Sequence, residues 1–297
     1  MARKQLLVGT AGWSYPDWEG TVYPQRCSGS VKLRTVAEFL DCVEVDSSFY
    51  RPPSARVVAN WVKIAEPFPQ FRFLAKAWQR FTHQRDSAWS AAEQRQFTDG
   101  LMPLREAGRL DALLFQFPWS FLRQPDNIDW LKRIAESFAG WPVAVELRHA
   151  SWAVPGTAEL FRRLGLIYCN VDQPALKGCL GPTAVVTSSV AYFRLHGRNA
   201  QNWFGDETAP GSRYDYFYSE SELDELLSRM RRAIALAERT FAVFNNHRDA
   251  KAFANALQLK LRAEPESTVE APAALLARFP SLCELIVPRA DDQLSLL

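Results

Sequence analysis

The sequence has few cysteines, and none of them form recognisable pairs. The five cysteines are odd in number and widely spread, with no Cys-x-x-Cys motif and no nearby histidine at zinc-ligand spacing. This pattern argues against a cysteine-based metal site and is typical of reduced thiols in a protein core. The residues are Cys27, Cys42, Cys169, Cys179 and Cys283.

Long hydrophobic runs are also missing. No apolar run approaches the roughly 18 residues that a helix needs to span a bilayer, so we expect no membrane domain. The first residues are basic, but the apolar run that follows is broken at Gly9 and reaches no small-residue cleavage site. We therefore expect a cytoplasmic protein.

The chain lacks a large excess of either charge. Its 35 Lys and Arg residues against 33 Asp and Glu give a net charge of +2, far from the basic surplus of proteins that bind nucleic-acid phosphates. A hydrophobic content of 47% over 297 residues is enough for a sizeable core. The ten tryptophans indicate either an aromatic core or stacking surfaces in a cleft.

One stretch, residues 142–152 (PVAVELRHASW), alternates strictly along its first half. Val145 and Leu147 fall on one side of an extended strand, whereas Glu146 and Arg148 fall on the other. In a strand that is flanked by helical segments, the apolar side should pack against helices. The charged side is then expected to point into the mouth of a closed barrel.

Further strands and helices alternate along the chain. Strands are predicted at residues 6–11, 42–46, 71–77, 113–117, 142–148, 166–172, 191–196 and 241–246. Helices are predicted at 32–41, after the N-cap Ser54, from the capping box at Ser90 to about 108, and at 127–138, 157–164, 220–239 and 250–261. Residues 173–190 show no clear helix.

This alternation predicts a single-domain (β/α)8 TIM-type barrel over residues 1–262. The remaining residues, 263–297, are expected to form a C-terminal extension with a short helix near 273–278 that packs on the barrel. A doubly wound open sheet is the competing architecture, but the loop after the first strand lacks a Gly-x-Gly-x-x-Gly phosphate turn.

Polar side chains at the ends of these strands should converge on one rim of the barrel. The candidate catalytic residues are Glu44, Glu146, Asp172 and His196. The candidate ligand-binding residues are Trp13, Tyr15, Asp46, Lys76, Gln116, Arg148, Arg194, Arg198, Asn245 and Asn246.

The residue types point to a ligand that is an anion. Guanidinium groups match the planar oxygen pairs of phosphates and carboxylates. His196 titrates by type near neutral pH, while Glu146 beside Arg148 should stay ionised and act as a base or orienter. No Gly-x-Ser-x-Gly elbow is present, which argues against a nucleophilic hydrolase.

Two other interpretations of the same residues stay open. The interior charges could simply pair with one another, because burying either sign alone is costly. Carboxylates and His196 could also hold a metal, but no two of them lie at a spacing that specifies one, and the nearby Arg and Lys oppose a cation. We therefore predict no metal, and the sequence identifies no cofactor and no oligomeric state.

Six motifs, taken together, resemble the YecE-like family, also called domain of unknown function 72. They are GTAGWSY (9–15), VEVDSSFY (43–50), FQFP (115–118), VELRH (145–149), RLHGR (194–198) and FNNH (244–247). The resemblance covers residues 6 to about 262 and implies a TIM-type barrel but no established activity. Asp46 departs from the family pattern, in which Asn is usual at that position.

The barrel of this family looks distantly similar to the endonuclease IV and xylose isomerase group, whose members bind metals and act on DNA or sugars. The chain lacks the dense His and carboxylate ligand set of that group. Our main hypothesis is an enzyme or binding protein for a small anionic or sugar-like molecule. The alternative is a nucleic-acid-binding or nuclease-like protein that uses the basic rim and the aromatic loop 199–218, and a non-catalytic scaffold is a third possibility.

Overall fold

The computed structural model describes residues 5–205, 212–284 and 286–289. Eight parallel strands pair in chain order and close into a barrel, because β8 also pairs with β1. This confirms the predicted TIM-type barrel. The strands are β1 Gln5–Ala11, β2 Cys42–Val45, β3 Arg72–Lys76, β4 Leu110–Gln116, β5 Val143–Glu146, β6 Ile167–Asp172, β7 Val190–Leu195 and β8 Arg239–Phe244.

Helices cover the outside of the barrel, and serine side chains fix where several of them begin. Ser90 and Ser219 each form a capping box with the glutamate three residues later. The first helix begins before the predicted residue 32 because the Ser28 side chain caps it. The helices are α1 Gly29–Phe39, α2 Ala55–Ile64, α3 Ala91–Glu106, α4 Pro125–Ser137, α5 Pro155–Leu164, α6 Glu220–Leu236, α7 Lys251–Ala263 and α8 Ala273–Arg278.

The connection between β6 and β7 is irregular. Residues 173–189 contain no helix, as the sequence indicated. Irregular backbone that covers a strand leaves N–H and C=O groups that need hydrogen-bond partners. Polar side chains are therefore expected on the outer face of β6.

Apolar side chains fill the lower part of the barrel interior, and Leu7, Leu74, Leu114 and Phe241 belong to that buried cluster. The remaining strand face packs against the helices in a larger core. At the N-terminal end the register between β3 and β4 shifts past Asp111, which forms ion pairs with the side chains of Arg72 and Arg239. These ion pairs lie at the N-terminal end of the barrel, opposite the mouth.

The chain beyond α7 packs onto the barrel through buried residues such as Leu275 and Leu282. It also pairs β9 Glu270–Ala271 with β10 Val287–Pro288. The division into a barrel and an extension stays a prediction. All five cysteines are free, but only Cys42 and Cys169 are buried. None of the described helices is long and apolar enough to cross a membrane, and the cytoplasmic location stays a prediction.

The close contact between β1 and β2 gives a test of the barrel interior. A Cβ atom on Gly9 would lie 1.9 Å from the carbonyl oxygen of Cys42, so Gly9→Ala should lower the free energy of unfolding by about 3 kcal/mol or more. Gly29→Ala is the control, because nothing lies within 4 Å of its added Cβ. Urea unfolding of both variants measures the difference, and equal stability would contradict this packing.

Candidate functional site

Arg194 joins three strands across the interior of the barrel. Its Nη2 donates to Glu44 Oε1 at 2.7 Å and its Nη1 donates to Glu146 Oε2 at 2.5 Å. The three residues lie on β7, β2 and β5, which are not neighbours in the sheet, so these bonds can form only through the lumen. All three side chains are at most 1% exposed. Arg194 is therefore part of a buried network beneath the mouth.

Glu146 accepts hydrogen bonds from three side chains. Besides the bond from Arg194, its Oε1 accepts from Arg148 Nε at 2.7 Å and from His196 Nε2 at 3.1 Å. Burial alone would raise the pKa of Glu146, but Arg194 and Arg148 hold it well below its ordinary value. The carboxylate is thus ionised and fully engaged, as an orienter of Arg148 would be.

His196 is a neutral ring with both nitrogens engaged. The Asn245 amide nitrogen lies 3.0 Å from Nδ1, so Nδ1 accepts this bond and the proton sits on Nε2, which donates to Glu146. Burial and then the nearby Arg148 lower the pKa of His196 to about 3. In this arrangement the ring has no free nitrogen with which to exchange a proton with a ligand.

Glu44 has a different environment from Glu146. Its two oxygens accept from Arg194 and from the hydroxyl group of Tyr192. Burial raises the pKa of Glu44 to about 7, although Arg194 opposes this and Asp46 adds to it. Glu44 is therefore the interior carboxylate whose charge changes near neutral pH.

Asp46 and Lys76 lie above this network, at the rim. Lys76 Nζ is 3.9 Å from Asp46 Oδ1, too far for a hydrogen bond, and 4.4 Å from the centre of the Phe49 ring. Among the described residues Asp46 Oδ1 has no hydrogen-bond partner. Gln116, also at the rim, donates to the backbone oxygen of Phe117 at 2.7 Å. The rim therefore keeps donors and acceptors that its own residues do not fully use.

Aromatic rings border the mouth. Trp203 lies 5.6 Å from the Arg148 guanidinium and 6.1 Å from the His196 ring. Tyr214 lies 6.2 Å from the His196 ring. Both rings come from the long loop 199–218, of which residues 206–211 lie outside the described part.

A cavity of about 540 Å³ opens beside the mouth, at the C-terminal ends of β1 and β2. We call it the side cavity; its lining includes Trp13, Tyr15, Asp46, Tyr50, Asn60 and Trp61. Tyr15 is fixed there because its hydroxyl group donates to the Ala11 carbonyl and its ring stacks on His247 at 4.5 Å. Trp13 packs edge-on against Trp61 at 5.3 Å.

The prediction that Asp172 lies in the mouth is wrong. Its carboxylate accepts two bonds of 2.9 Å from Arg198 and further bonds from Tyr218 and Arg229, so it lies beneath α6 on the outer face of β6. Asn170, on the same face, bonds to the backbone of Val185 in the helix-free connection. On this face Asn170 therefore satisfies backbone of the irregular connection, whereas Asp172 pairs with side chains in and near α6.

Arg198 also lies outside the mouth. It pairs with Asp172 and with Glu222 and Glu225 of α6. The alternation along β7 stops at Gly197, whose φ of +85° is in the left-handed region. A Cβ there would lie 2.5 Å from that of Tyr216. This turn directs Arg198 outward, whereas Arg194 and His196 point inward.

Asn246 likewise departs from its predicted place in the ligand site. Its side-chain amide donates at 2.9 Å both to the Tyr216 backbone oxygen and to Asn255 of α7. It therefore anchors the aromatic loop on a helix, whereas its neighbour Asn245 points inward to His196. Successive residues at a strand end point to opposite faces, so only one of this pair could reach the mouth.

The sequence did not single out several residues of the site. Tyr192 precedes Arg194 and His196 on the same face of β7, so the alternation could have identified it. His83 follows β3, and partial burial, Lys76 and Arg148 all lower its pKa. Tyr50 and Trp61 come from different segments, and no local pattern brings them together. Within the described ranges, no three His, Cys, Asp or Glu side chains are grouped to hold a metal ion.

Comparisons with known proteins identify relatives of this chain. A family model described as protein of unknown function DUF72 matches residues 7–276, which confirms the resemblance seen in the six motifs. The UPF0759 protein YunF of Bacillus subtilis is 28% identical over 267 residues, which are 86% of this chain and 93% of that protein.

Two solved structures are similar over most of their length. A DUF72 family protein from Thermotoga maritima is 35% identical with a TM-score of 0.79, covering 88% of this chain and 99% of that one. A DUF72 family protein from Enterococcus faecalis is 27% identical with a TM-score of 0.76, covering 86% and 94% respectively.

Removing one charge tests the interior network. Glu146→Gln should lower the free energy of unfolding by about 3–5 kcal/mol, because it leaves two buried arginines short of a counter-charge. Glu225→Gln is the control, since Glu225 is 54% exposed and its ion pairs should contribute less than about 1 kcal/mol. Chemical denaturation at pH 7 measures both, and equal small losses would contradict a buried network.

Glu44 should make stability depend on pH in a defined direction. Its folded pKa of about 7 exceeds the ordinary value of 4.5, so the folded state holds the proton more tightly than the unfolded state. The stability that this tighter proton binding provides is fully present below about pH 4.5 and is lost as pH rises through about 7. The free energy of unfolding of Glu44→Gln, relative to that of wild type, should therefore increase by about 2 to 3 kcal/mol from pH 5 to pH 8.

Urea unfolding at the two pH values measures this gain. The free energy of unfolding of the mutant, relative to that of wild type, should increase with pH. A difference between mutant and wild type that stays constant from pH 5 to pH 8 would show that Glu44 does not titrate in this range.

Proposed function

The chain belongs to the family described as protein of unknown function DUF72, and from the site it carries we propose that the barrel mouth binds a small anionic molecule and acts on it by acid–base chemistry. Arg148 and Lys76 provide the positive charges, and Asp46 is the carboxylate that exchanges a proton with the ligand. Glu146 holds Arg148 in place from below and is itself bonded to His196 and Arg194.

The observation that carries this proposal is the incomplete pairing of Arg148. Its Nη2 lies 3.3 Å from His196 Nε2, which already donates to Glu146 and so cannot accept. Its Nη1 has no hydrogen-bond partner among the described residues. The side chain is 11% exposed, and its unpartnered Nη1 is not buried from solvent, so a ligand can reach this donor. A ligand oxygen pair fits the open end of this guanidinium group.

Lys76 supports a second contact with the same anion. Its side chain is 16% exposed and its ammonium group makes no hydrogen bond to a described residue, since Asp46 stays at 3.9 Å. Both Lys76 and Arg148 lower the pKa of His83, so the two cations lie within electrostatic reach of one side chain at the rim. Trp203 lies beside Arg148, and the low local dielectric constant next to an aromatic ring strengthens such an attraction.

Asp46 is the rim carboxylate with accepting capacity to spare. Its side chain is 29% exposed, whereas Glu44 and Glu146 are fully buried with their oxygens engaged. A general base must come within hydrogen-bond distance of the proton that it removes. On these grounds we assign the proton transfer to Asp46, with His196 and Glu146 as positioning residues.

The role of Arg148 can be tested by titrating the protein with sulfate, phosphate and small dicarboxylates in a calorimeter. Arg148→Gln should raise the dissociation constant about tenfold to hundredfold, as expected for losing hydrogen bonds to a charged group. Arg198→Gln is the matched control, because that arginine lies outside the barrel on Asp172. Equal losses in both variants, or no saturable binding of any anion by wild type, would contradict the proposal.

Nucleic-acid binding stays a separate prediction. Arg198, one of the basic residues on which this prediction is based, is ion-paired with Glu222 and Glu225 of α6. Titration with single- and double-stranded oligonucleotides at two salt concentrations tests it, since binding to phosphates should be strongest at low salt.

A further inference from the structure

We infer that the ligand of the mouth is a sugar phosphate or sugar acid, whose hydroxylated ring occupies the side cavity while its anionic group contacts Arg148 and Lys76. The inference rests on the proposed function and specifies its substrate class. It starts from the cavity itself, which at about 540 Å³ is much larger than an inorganic anion needs and falls in the range of small-molecule sites.

The lining of the side cavity separates two kinds of chemistry. Asp46 is its single charged residue, and neither lysine nor arginine lines it. An anionic group is therefore disfavoured inside the cavity and favoured in the mouth, whose cations are Lys76 and Arg148. Lys76 Nζ lies 3.9 Å from Asp46 Oδ1, so the side cavity is next to the mouth at this contact. One ligand could thus place its neutral part in the cavity and its anion in the mouth.

The aromatic residues of the cavity suit a ring. Tyr50 is 70% exposed and contacts Phe49 edge-on, which leaves one of the largest exposed aromatic surfaces of the described residues at the cavity edge. Trp13 and Trp61 form an edge-on pair deeper in the lining. Aromatic faces present an apolar body to the C–H groups on one face of a sugar ring without excluding polar neighbours.

The polar residues of the cavity suit hydroxyl groups. Ser14, Ser47 and Asn60 line it, and their side chains make no hydrogen bond to other described residues. Together with the Asp46 carboxylate they offer both donors and acceptors, which a polyhydroxylated ring can satisfy and a hydrocarbon cannot. The geometry therefore favours a sugar over an apolar ring.

Titration with three probes tests this substrate class: inorganic phosphate, glucose and glucose 6-phosphate. Glucose 6-phosphate should bind wild type about tenfold more tightly than phosphate. A stacked ring should contribute about 1.4 kcal/mol of binding free energy, which corresponds to a tenfold change in affinity. Tyr50→Ala should remove this advantage and leave the affinity for phosphate unchanged. Tyr50 is so exposed that its loss should not unfold the protein.

Two further variants make the result specific. Asp46→Asn should weaken glucose 6-phosphate but bind phosphate equally or more tightly, because it removes a hydroxyl acceptor and a negative charge. Trp119→Ala is the matched control, since that tryptophan is 40% exposed on another part of the rim, beside His149 and Phe204.

Each outcome is decisive. Equal affinity of wild type for phosphate and glucose 6-phosphate overturns the inference and leaves the anion site standing. An advantage lost in Trp119→Ala but kept in Tyr50→Ala also overturns it, because the ring would then lie elsewhere. If neither phosphate compound binds, the proposed function fails and this inference fails with it.

Discussion

The central interaction is the arginine bridge between two carboxylates inside the barrel. Arg194 reaches from β7 to Glu44 on β2 and Glu146 on β5, where a TIM-type barrel usually packs aliphatic side chains. Buried charges persist only when each has its partner, so the bridge constrains three strands at once. The positions of the groups above it follow from this constraint.

The bridge also divides the charges into two layers. In the lower layer Glu146 is saturated by three donors, and His196 is held neutral between Glu146 and Asn245. In the upper layer Arg148 donates to Glu146 through Nε alone. This bond fixes its position while its η nitrogens stay available. A site built this way does not have to order its cation when a ligand arrives, which reduces the entropic cost of binding.

Strand β6 illustrates how a local pattern can mislead. Alternation separates Asn170 and Asp172 from Cys169 but does not say which set faces inward. In the structure Cys169 lies in the lumen, and the polar pair serves the irregular connection and α6. The absence of a helix at residues 173–189 was visible in the sequence, and it is the physical reason why the outer face carries Asn170, which bonds the backbone of Val185.

The sequence by itself determined the barrel and the placement of Glu146 with Arg148, and of Arg194 with His196, on a shared strand face, because period-2 alternation and helix capping are local properties. Only the tertiary structure decided that Asp172, Arg198 and Asn246 face outward, that His196 has no free nitrogen, and that Tyr50 and Trp61 meet Asp46 at a cavity. These outcomes depend on contacts between segments far apart in the chain, which no local spacing encodes.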